Sequence, residues 1–255
     1  MSQINIEKVC EIARAAGAAI MEIYAGDHSV EFKADQSPLT AADKASHDVI
    51  MAGLLQHFPE IPILSEEGRN IPYAERKGWQ RFWLVDPLDG TKEFIKRNGE
   101  FTVNIALIEG GRVVAGVVYV PAQDRIFFGR VGEGAWRAVD GGEAVAIKVR
   151  KADPVAGLTV VMSRSHPSPE LADYLQNITV SEALPVGSSL KFCVVAEGRA
   201  DLYPRLGPTM EWDTAAGQAV VEAAGGTVKK VDGSPLSYNK ENLLNPFFVV
   251  KGDNL

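Results

Sequence analysis

The chain has 255 residues, of which 46% are hydrophobic and 23% are charged, and its formal net charge is -7 at pH 7. A chain of this length and composition can bury a full core, either as one large domain or as two smaller ones. The acidic balance argues against a general nucleic-acid binder, because such proteins carry basic patches or stripes. An acidic protein can still bind a phosphate where metal ions, helix N-termini or a few placed cations assist locally.

The N-terminus and the cysteines predict a cytoplasmic location. Residues 1–8 lack a basic region followed by an apolar stretch, so we expect no secretory signal. No apolar run approaches the roughly 20 residues that a transmembrane segment needs. Cys10 and Cys193 lie in apolar stretches without CxxC spacing, which is typical of buried, reduced cysteines.

Two helices separated by a short strand are predicted near the N-terminus. Apolar residues at helical spacing predict a helix over residues 6–24, with Gly26 as its stop signal. Residues 30–33 favour a short strand. The segment 37–43 leads into a second helix, which ends at Pro59. Its predicted core-facing side chains are Val49, Ile50, Leu54, Leu55 and Phe58.

Short apolar runs then predict strands. Two of them end at acidic residues, the first at Glu66-Glu67 and the second at Asp86. From Phe101 to about Val149 apolar runs alternate with Gly-rich turns, and the simplest arrangement is an antiparallel meander. The predicted strands of this meander cover residues 102–108, 113–120, 125–128 and 144–149.

Beyond Asp153-Pro154 predicted helices and strands alternate, which is typical of an α/β unit. The strands are predicted over residues 158–162, 178–180, 201–203 and 227–231, and the helices over residues 169–176, 189–197 and 214–224. We expect residues 1–150 to form an α+β half that carries most of the metal ligands. Residues 151–255 are expected to form an α/β half, and the two halves to pack around a shared cleft.

Three acidic clusters stand at the ends of predicted elements. Asp86 and Asp89 follow an apolar strand and precede a helical stretch over residues 92–96, so the two acids can converge on a cation while the helix start offers N–H groups to a phosphate. Glu66 also follows an apolar strand, and Asp213 precedes a helix. Each cluster alone has a structural explanation as a tight turn, a solvated turn or an N-cap.

The type of ligand favours one class of metal. Carboxylate oxygens without His or Cys suit magnesium rather than zinc or copper. Metal ions bridged by carboxylates can activate a water on one side of a phosphoryl group and stabilise the leaving oxygen on the other side. Together, the three clusters therefore predict a magnesium-dependent phosphatase site.

The three acidic clusters resemble the sequence motifs of a known family. Glu66-Glu67, residues 86–94 and residues 212–217, in that order, resemble the two signatures of the inositol monophosphatase superfamily. The resemblance covers nearly the whole chain and includes the segment 37–43 and Gly225-Gly226. It implies a layered αβαβα sandwich of the α+β or α/β class, sensitivity to lithium and dependence on roughly two or three Mg²⁺ ions.

The resemblance also implies the metal ligands. One metal ion would be bound by Glu66, Asp86 and the backbone carbonyl of Leu88. A second would be bound by Asp86, Asp89 and Asp213.

Catalytic roles follow from the same resemblance. The backbone N–H groups of Gly90 and Thr91 would hold the scissile phosphate. The Thr91 hydroxyl, oriented by Asp43, would help to deprotonate the attacking water, and Glu66 would assist through the solvent bound to the metal.

Two segments of the second half indicate which branch of the superfamily the chain resembles. Residues 187–193 and 200–205 resemble the bacterial 3'(2'),5'-bisphosphate nucleotidase branch of the superfamily. This branch implies hydrolysis of adenosine 3',5'-bisphosphate to AMP and phosphate, a step that clears a by-product of sulfate assimilation. The substrate-binding residues that the resemblance implies are Glu66, Leu88, Asp89, Gly90, Thr91, Gly187, Ser188, Lys191, Arg205 and Asp213.

Two cations distinguish the branches. Arg205 stands where similar inositol monophosphatases place an acidic residue for the inositol hydroxyls, and a guanidinium instead suits a phosphate. Lys191 adds a point charge nearby in the family pattern. The alternative is that both are exposed bases, which is the more common case for a single cation.

Two other functions stay open at this point. The same carboxylates would serve an inositol monophosphatase or another sugar phosphatase. A regulatory protein that keeps the fold and binds a macromolecular partner is the other alternative, although the intact carboxylate set argues against it. A homodimer and a peripheral association with the inner membrane, as in similar bacterial proteins, are also left open.

Overall fold

The computed structural model describes residues 4–26, 38–68, 71–164 and 169–255. Its helices are α1 (Ile6–Ala25), α2 (Pro38–His57), α3 (Tyr73–Arg76), α4 (Thr91–Ile95), α5 (Pro169–Leu175), α6 (Leu190–Ala196) and α7 (Glu211–Ala223), together with a 3₁₀ helix at Pro121–Gln123. The strands are β1 (Ile63–Ser65), β2 (Arg81–Asp89), β3 (Thr102–Glu109), β4 (Arg112–Val120), β5 (Arg125–Arg130), β6 (Gly134–Val139), β7 (Val145–Ile147), β8 (Leu158–Ser163), β9 (Val180–Val186), β10 (Leu202–Arg205), β11 (Thr227–Lys230) and β12 (Phe248–Lys251).

The first sheet has seven strands in the order β1-β2-β3-β4-β5-β6-β7. β1 runs parallel to β2, and every later strand is antiparallel to the one before it. The predicted meander is therefore confirmed. It contains one strand more than predicted, β6, because this segment begins with Gly134 and carries Arg137 in its middle, so that it has no continuous apolar run.

The second sheet has five strands in the order β11-β12-β10-β8-β9. β8 is parallel to both β9 and β10, as an α/β unit requires. β12 was not predicted, and it pairs antiparallel with both β10 and β11. The second sheet is therefore mixed.

Buried side chains fill the space between the layers. Ile20 of α1 and Ile50 of α2 are fully buried in a cluster on one face of the first sheet. A second cluster lies between the sheets and includes Phe192 of α6 and Val220 of α7. A third lies on the outer face of the second sheet, where Tyr174 of α5 packs. This arrangement confirms the αβαβα sandwich.

Some details differ from the prediction. Leu55 is 51% exposed, whereas Leu54 is fully buried, because adjacent residues of a helix point about 100° apart and only one can face the sheet. The predicted strand over residues 30–33 and Ser37 lie outside the described residues. Strands of the first sheet come from residues 63–147 and those of the second from residues 158–251, and the division into halves at residue 150 stays a prediction. Across the described ranges, no helix has the length and apolar content needed to cross a membrane.

A glycine permits the close packing of α7 on the first sheet. A Cβ at Gly116 in β4 would lie 2.6 Å from the carbonyl oxygen of Ala216 and 2.8 Å from the Cβ of Ala219. The backbone of α7 and its small side chains therefore lie directly on the strand, and this contact fixes the depth of the helix that carries Asp213.

We expect Gly116→Ala to lower the free energy of unfolding by about 1–3 kcal/mol, because an added methyl group must push α7 away from β4. Urea denaturation in EDTA measures the change. Gly78→Ala is the matched control, since a Cβ at Gly78 meets no heavy atom of the described residues within 4 Å. Equal stability of the two variants would contradict the account of this packing.

Candidate active site

Most of the predicted site residues line one cleft of about 390 Å³. The residues that line it are Glu66, Asp86, Leu88, Asp89, Gly90, Thr91, Lys92, Glu93, Ser163, Ser188, Lys191, Arg205, Pro208 and Asp213. Two predicted residues, Asp43 and Gly187, are not part of this lining. Gly187 lies behind it, because its N–H donates to Glu100 Oε2 at 2.7 Å and a Cβ there would lie 2.4 Å from Glu93 Cγ.

Three carboxylates from separate elements converge in the cleft. One oxygen each of Glu66, Asp86 and Asp213 lies within 4.8 Å of the others. The parallel pairing of β1 with β2 brings the first two together, since the N–H of Glu66 donates to the carbonyl of Val85 at 3.1 Å. Asp89 lines the same cleft but does not belong to this group of three.

The path of β2 differs from the predicted turn. The strand does not end at Asp86 but continues to Asp89, with irregular pairing to β3 between these two residues. Pro87 has no N–H to donate to the sheet, which explains a local irregularity there. The N–H of Leu88 donates to Asp86 Oδ1 at 3.1 Å, so the acids sit on a bulged strand end.

Gly90 connects this strand to α4. Its φ is +99°, in the left-handed region that favours glycine. A Cβ there would also lie 3.1 Å from Ser188 Cβ and 3.2 Å from Phe101 Cα. A side chain is therefore excluded where the chain turns into the cleft, and both Gly90 and Thr91 line the cleft.

Asp213 occupies a different helix position from the N-cap we predicted. α7 begins two residues before it, at Glu211, and the N-cap is Met210. Asp213 Oδ2 accepts a hydrogen bond from the N–H of Met210 at 2.8 Å, as an acidic residue at the third helical position can. Glu211 is fully buried and accepts from the N–H groups of Asn239 and Lys240, and these bonds anchor the added turn.

The carboxylates raise one another's proton affinity. Burial, followed by the charges of Asp89 and Glu66, raises the pKa of Asp86 well above its usual range. Burial and Asp89 raise the pKa of Asp213 to about 7. Removal of its carboxylate from solvent also raises the pKa of Glu66, partly offset by a hydrogen bond with Asp86. Such a cluster binds cations, since a positive ion removes the repulsion, and its all-oxygen donor set fits Mg²⁺.

Asp43 stands beside this cluster. Burial, then the charges of Glu67 and Glu66, raise its pKa to about 8. Its Oδ1 is buried and has no hydrogen-bond partner among the residues that the structure describes. The pairing of Asp43 with Thr91 and the role of the Leu88 carbonyl as a metal ligand stay predictions.

Lys191 is a positively charged residue on the lining of the same cleft. Only 7% of Lys191 is exposed, so the alternative of an exposed base is wrong for this residue. Its Nζ donates to the carbonyl of Ser188 and lies 5.7 Å from the centre of the Tyr203 ring. Burial lowers the pKa of Lys191 to about 8, against the opposing effect of the Asp89 carboxylate.

Arg205 is half-buried at the rim of the cleft. Its Nε donates to Thr209 Oγ1 at 2.6 Å and its Nη2 to the carbonyl of Pro208 at 2.7 Å. The loop after β10 therefore fixes the guanidinium in place. A fixed guanidinium with remaining N–H donors suits a phosphate group.

Some residues of the site were not predicted as site residues. Lys92, Glu93, Ser163 and Pro208 line the cleft, and Glu93 is 5% exposed. Ser189 is 1% exposed, and both its N–H and its hydroxyl lie within hydrogen-bond distance of Asp89. Glu93 and Ser189 lie in the segments that carry the family resemblance, but neither stands at the end of a predicted strand, which was the signal that located Glu66 and Asp86.

Comparisons with known proteins match this chain to one family. Residues 3–247 match the model of the inositol monophosphatase family. The 3'(2'),5'-bisphosphate nucleotidase CysQ of Salmonella typhimurium is 53% identical over 248 residues, which cover 96% of this chain and 98% of that protein. The CysQ protein of Buchnera aphidicola is 44% identical, over 92% of this chain and 87% of its own.

Solved structures show the same fold. The crystal structure of CysQ from Bacteroides thetaiotaomicron, described as a bacterial member of the inositol monophosphatase family, matches with a TM-score of 0.87 at 44% identity, over 98% of this chain and 97% of the other. An inositol monophosphatase from Zymomonas mobilis matches with a TM-score of 0.80 at 26% identity, over 98% and 92% of the two chains.

We expect the metal-free protein to lose thermal stability as the pH rises from about 4 to about 8. Asp43 and Asp213 have pKa values of about 8 and about 7 in the folded state, whereas an unfolded Asp titrates near pH ~4. Between these values the folded state holds more protons than the unfolded state, so the free energy of unfolding falls with pH until the folded carboxyl groups have also lost their protons.

The check is the unfolding temperature in EDTA and in excess Mg²⁺ across this pH range. Mg²⁺ should raise the temperature more at high pH than at low pH, because protons compete with the metal for the same oxygens. A stability in EDTA that increases with pH, or a magnesium effect independent of pH, would contradict the electrostatic picture.

Proposed function

The chain belongs to the inositol monophosphatase family, and from that membership we propose that it is a magnesium-dependent 3'(2'),5'-bisphosphate nucleotidase, which hydrolyses adenosine 3',5'-bisphosphate to AMP and phosphate. One observation carries the proposal. The cleft that holds Glu66, Asp86 and Asp213 also holds Lys191 and Arg205. Acids for metal ions and cations for a second phosphate therefore occur in the same cleft. The 53% identity to a nucleotidase of that name supports the same substrate.

The carboxylates would bind the metal ions. Glu66, Asp86, Asp89 and Asp213 offer hard oxygen ligands, and the Leu88 carbonyl is proposed to add another. When bound, magnesium would supply an activated water and charge stabilisation for the phosphoryl group. How many ions bind, two or three in our expectation, is part of the proposal.

Other residues would hold the scissile phosphate and move the proton. The N–H groups of Gly90 and Thr91 are proposed to bind phosphate oxygens. Asp43, which has a raised pKa of about 8 in the protein without cations, would orient the Thr91 hydroxyl and, in its ionised form, take up the proton that Thr91 passes on from the attacking water. Glu66 would assist that proton transfer.

Specificity would depend on the cations. Two donors of Arg205 are already bound to Thr209 and Pro208, and a guanidinium has about five N–H donors in all, so the others can serve a phosphate. Lys191 is buried and adds positive charge on the same lining, which includes Ser188, and Gly187 lies behind the lining. An inositol hydroxyl would gain little from these charges, which disfavours the inositol monophosphatase alternative.

The remaining expectations concern the partners, the location and the inhibition of the protein. The substrate is a small molecule in this proposal, so no nucleic-acid surface is invoked. The cytoplasmic location, the homodimer and the peripheral association with the inner membrane stay predictions, as does inhibition by lithium.

Phosphate release from adenosine 3',5'-bisphosphate, inositol 1-phosphate and fructose 1,6-bisphosphate in the presence of Mg²⁺ tests the proposal directly. We expect the highest kcat/KM for the nucleotide. A clear preference for inositol 1-phosphate would replace the proposal with the monophosphatase alternative.

Asp89→Asn and Asp213→Asn should each cause a large loss of kcat/KM. Loss of a residue behind a metal ligand costs roughly 10 to 100-fold, and loss of a ligand itself should cost more. Each change removes one negative charge from the proposed metal site without a large change of volume. Asp232→Asn is the matched control, because Asp232 is exposed and bonded only locally to Ser234. Loss of hydrolysis in vitro with cellular function untouched would favour the regulatory binding protein, whereas kcat/KM that survives both substitutions would contradict the assignment of these acids as metal ligands.

Arg205→Glu should lower kcat/KM for adenosine 3',5'-bisphosphate by roughly tenfold or more, because a charge-assisted hydrogen bond is lost and a repulsion is added. Turnover of adenosine 3'-monophosphate should change little. Lys229→Glu, at an exposed position of β11, controls for the change in net charge. Equal losses on both substrates would show that Arg205 does not read the second phosphate.

A further inference from the structure

Two donor groups of Ser189 lie within hydrogen-bond distance of a single carboxylate oxygen. Its backbone N–H donates to Asp89 Oδ2 at 2.6 Å, and its hydroxyl oxygen lies 2.7 Å from the same atom. An ionised carboxylate in a partly buried place needs such donors. With two donors from one residue on Oδ2, the other oxygen of Asp89 is the one left for a cation.

The hydroxyl of Ser189 connects three elements. It accepts a hydrogen bond from Asn104 Nδ2 at 2.9 Å, and it lies 2.7 Å from the carbonyl oxygen of Asp213 in α7. Asn104 is 1% exposed and stands opposite Asp86 in the pairing of β2 with β3. Since Asn104 occupies an acceptor position of the hydroxyl, the single hydroxyl proton is directed to Asp89 or to the Asp213 carbonyl.

Helix capping does not explain this serine. Ser189 is the N-cap residue of α6, but its side chain makes no capping hydrogen bond to the helix. A serine at this position normally accepts a bond from a backbone N–H one turn ahead. Here the hydroxyl is directed toward the acidic site instead.

The backbone before Ser189 is also unusual. Ser188 has a φ of +43°, a region that few residues other than glycine adopt. This conformation turns the chain so that the next N–H meets Asp89 Oδ2. Strained backbone of this kind is found at sites where geometry matters for function.

We propose that Ser189 is a positioning residue of the metal site. Its N–H holds Oδ2 of Asp89, so that Oδ1 is presented to a cation, and its hydroxyl, which Asn104 orients, gives its one proton to Asp89 or to the neighbouring Asp213 carbonyl. Groups behind metal ligands commonly act in this way. The inference rests on the proposed function, in which Asp89 is a metal ligand.

Ser189→Ala removes the hydroxyl and keeps the N–H. We expect it to weaken Mg²⁺ binding by roughly tenfold in calorimetric titrations without substrate. The magnesium concentration for half-maximal activity should rise by a similar factor, while kcat at saturating magnesium changes much less. Ser189→Thr keeps a hydroxyl and should bind Mg²⁺ more tightly than the alanine variant.

Ser181→Ala is the matched control. Ser181 donates its hydroxyl to the carbonyl of Gly157 at 3.1 Å on exposed strand β9, so this variant loses a hydrogen bond outside the cleft. Its affinity for Mg²⁺ should equal that of the wild type. The unfolding temperature of each variant in EDTA shows whether the substitution acts on the fold itself.

A double substitution tests the part played by Asn104. Asn104→Ala alone should weaken Mg²⁺ binding, but it should have no further effect when Ser189 is already alanine. Fully additive losses would overturn the claim that Asn104 acts through the hydroxyl.

Two results would overturn the assignment of Ser189. The first is unchanged Mg²⁺ affinity in Ser189→Ala. The second is a loss of affinity that threonine does not reduce and that accompanies an equal fall in stability in EDTA, because it would indicate a purely structural role. Failure of the proposed function is distinguishable, since the wild type itself would then neither bind Mg²⁺ nor hydrolyse the nucleotide.

Discussion

Repulsion among crowded carboxylates around the buried Asp86 is the constraint on which the rest of the site depends. Oxygens of Glu66, Asp86 and Asp213 lie within 4.8 Å of one another, and Asp86 is only 1% exposed. Ionised groups so close to a buried carboxylate repel one another strongly without a compensating positive charge. The protein therefore either binds protons there, as the raised pKa values of Asp86 and Asp213 indicate, or binds cations. Parallel pairing of β1 with β2 supplies two of the acids, and the close packing of α7 on β4 supplies the third.

The acids and the cations of the cleft come from different strands and helices. Strand ends of the first sheet and the first turn of α7 contribute acids, whereas α6 and the end of β10 contribute Lys191 and Arg205. Ser189 lies between the acids and the cations. It directly follows the backbone turn at Ser188, and its N–H donates to Asp89. A substrate with two phosphates fits such a division, because one phosphate can meet the metal ions while the other meets the fixed cations.

Sequence patterns predicted the parts of the molecule in which local signals agree with tertiary packing. The helical spacing of apolar residues in α1 and the apolar runs of β3 and β4 are of this kind. Glu66 and Asp86 were identified because each follows a predicted strand. The helix position of Asp213 could not be predicted, because the start of α7 depends on the burial of Glu211 against residues 239–240 far along the chain. Ser189 carries no charge and no periodic signal, and its importance appears only when β3, α6 and α7 are assembled.

The most direct test of the central claim is calorimetric titration of Mg²⁺ into the metal-free protein at about pH 7, in two buffers that differ in their heat of ionisation. If the carboxylate cluster is the metal site, binding must displace protons from groups such as Asp213, whose pKa is about 7. The measured heat will then differ between the buffers, and the difference will become smaller as the pH is raised. Binding with the same heat in both buffers, or no binding at all, would contradict the assignment of this cluster as the metal centre.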